Sequence, residues 1–93
     1  MRVGNSTAGD VHWSTLSTVG RSGPYRFFFY SADRDEPPHV HVERERFGAK
    51  FWLDPLRLER SRGFDRSEIQ QLERLVAEEA AFLLRAWHEY FGD

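Results

Sequence analysis

Glu36-Pro37-Pro38-His39-Val40-His41-Val42-Glu43 gathers the residues of this chain best able to do chemistry. On a β-strand side chains alternate with period two, so His39, His41 and Glu43 share one face while Val40 and Val42 share the other. The valines suit a core. Two imidazoles beside a carboxylate suit a metal site, a proton-transfer site, a nucleic-acid contact, or partly exposed strand positions paired with Asp or Glu neighbours.

A metal reading follows from the spacing, since His-x-His brings two imidazoles close enough to chelate a divalent ion. With no cysteine in the chain, imidazole and carboxylate are the only strong ligands it offers. His39 and His41 would take Glu43, Glu36 or His88 as a third. No second ligand motif follows, so neither a resident metal nor any other cofactor is expected. The segment resembles the first motif of cupins, but 93 residues are too few for that barrel. It also resembles the histidine triad family, whose alternating strand histidines face a phosphate, with Glu43 standing where the third histidine would be. A more general chemistry uses His39 or His41 as a base, with Arg26 or Lys50 stabilising phosphate charge. If the chain is an enzyme, that makes it a metal-independent ribonuclease or phosphoryl-transfer type.

Several elements must position these groups. Tyr25-Arg26-Phe27-Phe28-Phe29-Tyr30 is aromatic on both faces and reads as a central strand. Ala32 to Glu36 is a polar connection, and Pro37-Pro38 stiffens the approach to a second strand from His39 to about Glu43. Arg44 to Gly48 reads as a hairpin loop, Ala49 to Leu53 as a third strand stopped by Asp54-Pro55, and Leu56 to Glu59 as a short fourth strand or a turn. Asp65 is placed to cap a helix, with Glu68 completing a capping box and Phe64 and Ile69 a hydrophobic staple. Ile69, Leu72, Val76, Ala80, Leu83, Trp87 and Phe91 then trace one apolar stripe to Gly92. Unbroken, that helix would be about 39 Å long, about twice a typical strand. The expectation is therefore a bend near Glu78-Glu79, or a C-terminal half carrying Phe82, Trp87, Tyr90 and Phe91 that packs on a second copy.

The chain thus reads as an α+β domain over 23–93, a small antiparallel sheet of three to four strands packed on one face by a C-terminal helix or helix pair. Residues 1–22, rich in Ser, Thr and Gly, read as a flexible arm with an edge strand near 15–19. In a meander, Phe27, Phe29, Val40, Val42, Phe51 and Leu53 would lie under the helix. Arg26, Phe28, Tyr30, His39, His41, Glu43, Lys50 and Trp52 would form the open face, with Tyr30, Glu43 and Trp52 as binding residues. Arg62 and Arg66, close to the helix start, add a place for a phosphate. The formal net charge of -2 excludes a generic polyanion binder but not a local basic patch. The absence of a long apolar run or signal-like N-terminus points to a cytoplasmic chain with no membrane partner.

Tyr25 to Ser31, Glu36-Pro37-Pro38-His39-Val40-His41-Val42, Ala49 to Leu53, Arg62-Gly63-Phe64 and Trp87-His88-Glu89-Tyr90-Phe91-Gly92 together resemble a bacterial family, domain of unknown function 4160, over about Gly23 to Gly92. The resemblance implies a small prokaryotic protein and transfers no catalytic residue. Genes of that family often stand beside another small gene, which implies a toxin-antitoxin type module whose partners are RNA or the neighbouring gene's product. Three functions follow as expectations: binding or cleaving RNA through the His39 and His41 face, a non-enzymatic interaction module that dimerises or docks through its C-terminal helix, and, behind both, a His-based metal protein.

Overall fold

The computed structural model describes residues 16–92. Aromatic and β-branched runs separated by short turns build five strands: β1 (Leu16–Ser22), β2 (Tyr25–Tyr30), β3 (His39–Arg44), β4 (Phe47–Leu53) and β5 (Leu56–Arg62). They lie in the order β1-β2-β3-β4-β5, each antiparallel to the next. A 3-10 turn, Ser31–Asp35, links β2 to β3, and a single helix, α1 (Arg66–Phe91), follows the sheet.

The sheet thus has five strands, where three to four were expected. In β5, Leu56 and Leu58 stand opposite Leu53 and Phe51 and pack on the core, a short apolar alternation that the surrounding arginines hide in the sequence. The edge strand expected near 15–19 pairs with β2 from Leu16 to Ser22, with a register shift between Thr18 and Gly20. The rest of the expected arm, residues 1–15, lies outside the described residues.

Parity sorts the faces as the alternation predicts. Phe27, Phe29, Val40, Val42, Ala49, Phe51 and Leu53 meet Leu72, Val76, Leu83 and Trp87 of α1 in one core. Asp65 caps the helix by accepting from the Glu68 N–H at 2.9 Å. Only that half of the capping box forms, because Glu68 is claimed elsewhere. It accepts from Arg44 Nε and Nη2, both at 2.8 Å, and from the Tyr25 hydroxyl at 2.6 Å. Arg44 and Tyr25 hold the Glu68 carboxyl below its ordinary range, and burial together with Glu68 pushes the Tyr25 phenol up. The first turn of α1 is thereby tied to the ends of β2 and β3.

No bend interrupts α1, which runs 26 residues to a left-handed cap at Gly92, φ 78°. At 26 residues it is about 39 Å long, close to the molecule's longest extent of 40 Å. Trp87, expected on a break or a partner, belongs to this chain's own core, with ring centroids 5.2 Å from Phe29 and 5.0 Å from His39. Phe91 packs beside it at 4.3 Å. Besides the five-stranded sheet, the 3-10 turn meets the helix end, Arg34 donating to the Phe91 carbonyl at 3.3 Å. No helix among the described residues is long and apolar enough to cross a membrane.

Candidate functional site

Strands β2 and β3 pair from Arg26 opposite Glu43 to Phe28 opposite His41. Beyond that point the Ser31–Asp35 turn folds back, and the Tyr30 N–H donates to Asp33 Oδ2 at 2.8 Å. This brings Asp33 onto the histidines. His41 Nε2 is 3.0 Å from Asp33 Oδ2, and His39 Nε2 is 3.2 Å from the same oxygen but outside hydrogen-bond geometry. Burial opposes ionisation of Asp33, yet the groups around it, the His41 imidazole and the Tyr30 amide among them, outweigh it and hold the carboxyl far below the usual carboxylate range.

His39 is not the partly exposed open-face residue that strand parity predicts. It is fully buried, with its ring centroid 5.5 Å from Trp52, 5.0 Å from Trp87 and 5.1 Å from His41. At the start of β3 it has no β2 partner and meets rings from both layers. Its Nδ1–H donates to the Pro37 carbonyl at 2.9 Å. A carbonyl can only accept, so Nδ1 carries the proton and Nε2 is the nitrogen turned to Asp33. His41 stays on the open face, stacked on Phe28 at 5.3 Å with the Tyr30 ring edge-on at 4.8 Å.

Glu43 does not join the histidines. It accepts from Arg26, whose guanidinium also lies 4.5 Å over the Phe28 ring. Glu36 accepts from Lys50 Nζ at 2.7 Å and stands 3.6 Å from His39 Nδ1. Lys50, nearly buried, sits opposite both His41 and Arg60 and lies 4.7 Å over the Trp52 ring. Trp52 Nε1–H donates to Glu59 at 2.9 Å. Arg66 and His88 are exposed on α1 and have no contact with the Asp33 cluster among the described residues. On the open face, a cleft of about 170 Å³ is lined by Tyr30, His41, Glu43, Lys50, Arg60 and Arg62, floored by Phe28, Val42, Gly48 and Ala49. Arg62 is steadied there by donating to the Arg46 carbonyl at 2.9 and 3.2 Å.

A family model described as Domain of unknown function (DUF4160) matches residues 25–88. The chain belongs to the DUF4160 family. No curated protein and no solved structure matches it. The DUF4160 match runs from β2 through most of α1, so it contains Asp33, His39, His41, Lys50, Arg60 and Arg62, and leaves β1 outside.

Two chemistries are available to this DUF4160 chain. Asp33 behind His41 is an orienting carboxylate behind a base, the arrangement that general-base catalysis needs. Asp33, His39 and His41 together also put one ligand atom each within 4.8 Å of one another. Asp33 and Arg60 were not singled out as site residues from the DUF4160 sequence. Asp33 lay in a polar connection, its only signal an acidic side chain in the turn feeding Pro37-Pro38, and Arg60 was one of an arginine-rich stretch.

Proposed function

We propose that this chain is a small RNA-binding protein of toxin-antitoxin type, and that the strand lies in the cleft on the open face of the sheet. The observation that carries the proposal is the lining of that cleft. Arg60 and Arg62 line it beside one carboxylate, Glu43, which Arg26 already neutralises, while Lys50 is paired with Glu36, so the local field favours phosphate. Tyr30 and His41 add rings on which an unpaired base can stack, and single-stranded RNA is recognised by that combination of cations and planar groups. The toxin-antitoxin role is supported by the gene neighbourhood that the family resemblance implies. With a net charge of -2, binding rests on this patch and is strongly salt-dependent.

Fluorescence anisotropy of a single-stranded RNA oligomer in EDTA tests this. Saturable binding at low salt is expected. Arg60→Ala and Arg62→Ala each weaken it several-fold, and each lowers the slope of log K against log salt by about 0.7. Absence of saturable binding, or equal binding by the double variant, would overturn the RNA reading. In cells, overexpression slows growth and the same double substitution relieves the arrest.

A second reading, an interaction module, draws on the flank of α1 beside β1. Phe82 and Tyr90 remain 45% and 40% exposed there, beside Val19, Arg85, Ala86 and Glu89. The partner that fits a self-contained apolar strip of this kind is a second copy of the chain.

A further inference from the structure

We infer that Asp33, His39 and His41 form a binding site for one divalent first-row transition ion, with Zn²⁺ the best-suited probe. The donor atoms are Asp33 Oδ2 and the two Nε2 atoms. Donors held by one ion at about 2.0–2.1 Å stand about 2.9 Å apart in octahedral and about 3.3 Å apart in tetrahedral coordination. The oxygen-to-nitrogen distances of 3.0 and 3.2 Å fall in that range, and since the three donors lie within 4.8 Å of one another, side-chain adjustment of the imidazoles completes the set.

His39 supplies the independent observation. It is 0% exposed, and its Nε2 has no hydrogen-bond partner among the described residues. Because Nδ1–H is spent on the Pro37 carbonyl, Nε2 is the ring nitrogen left to face the partly buried Asp33 carboxylate. A ring nitrogen and a carboxylate oxygen facing each other as acceptors at 3.2 Å repel, and the cost is relieved when a cation lies between them. The Nδ1–H contact to a backbone carbonyl is also how metal-bound histidines are fixed in the tautomer that offers Nε2. Lys50, the nearest cation on the neighbouring strand, is turned to Glu36 and does not compensate the cluster. Two imidazoles and one carboxylate, with no thiolate, select Zn²⁺, Fe²⁺ or Co²⁺ over Ca²⁺ and Mg²⁺.

Three protein donors leave coordination positions for water or for a phosphate oxygen. His41 also lines the cleft, so the site would sit where the proposed RNA backbone passes, and this deepens the RNA reading without needing it for metal binding.

The test is calorimetric titration of the untagged, chelator-stripped full chain with ZnSO₄, and visible absorption with CoCl₂, both without RNA. One Zn²⁺ per chain is expected, with Co²⁺ giving d–d bands in the visible. Asp33→Asn and His41→Ala weaken Zn²⁺ at least about a hundredfold and abolish the Co²⁺ bands, while His88→Ala, an exposed histidine away from the cluster, changes neither. Circular dichroism identifies any variant that fails to fold, and His41→Gln then replaces it. Substoichiometric uptake, or uptake that survives Asp33→Asn and His41→Ala, would overturn the site. RNA binding is measured separately in EDTA, so the loss of one property leaves the other standing.

Discussion

Asp33 converts a pair of strand histidines into a cluster. Its carboxylate receives Tyr30 N–H and faces both imidazoles from within a partly buried turn. Because its pKa is depressed in the folded chain, its contribution to stability is complete above the unfolded carboxylate value of about 3.9. That contribution is lost as pH falls from there through the folded value. Asp33→Asn should therefore cost about 2 kcal/mol at pH 7, through donors left without an ionised acceptor, and should flatten the acid limb of the stability curve. Urea unfolding between pH 7 and pH 2 measures both, and parallel acid limbs for the two chains would contradict the assignment. His39 and His41 stood out in the sequence by type and spacing. Asp33 did not, because its meeting with them depends on a 3-10 turn that reverses the chain after β2.

Among the elements, the helix carries the sharpest contrast between neighbouring positions. Leu83 is fully buried against the sheet, whereas Phe82 is 45% exposed. Leu83→Ala should cost about 3 kcal/mol as a cavity opens in the core, and Phe82→Ala about 0.5 kcal/mol or less in dilute monomeric protein, read by urea midpoints. Equal costs would mean the helix is rotated from this register. Gly63 joins β5 to the helix with φ 93°, and a Cβ there would come 2.3 Å from the Phe47 ring. Gly63→Ala should thus destabilise by about 1–3 kcal/mol, through backbone strain and displacement of Phe47. The apolar stripe of α1 and the Asp65 cap were readable from side-chain period and type. Its continuity was not, because the expected bend assumed a narrower sheet, and the arginines around Leu56 and Leu58 concealed β5.

At the scale of the whole molecule, one helix covers one face of a five-stranded meander, which leaves the other face and the flank of the helix to partners. The groove between β1 and the flank of α1 predicts self-association through Phe82 and Tyr90. Light scattering across a hundredfold concentration range should show a dimer that Phe82→Ala with Tyr90→Ala returns to monomer. A wild-type chain monomeric throughout would remove the interaction reading while leaving the cleft untouched. Trp87 and Phe91 are unsuitable for that test, since they are less exposed than Tyr90, which itself touches Phe29 at 5.9 Å.

The division between sequence and structure follows the range of the interactions. Alternation along a strand is local, so Val40 and Val42 could be assigned to the core and His41 to the open face from the residues alone. The helical stripe, the Asp65 cap and the absence of thiolate ligands were equally local or compositional. Only the tertiary structure buried His39 between Trp52 and Trp87, gave Glu43 to Arg26, and set Asp33 against both imidazoles. These three outcomes depend on how the chain turns after β2 and on segments competing for the same space and the same charges, and the alternation of residues along a strand does not encode that competition.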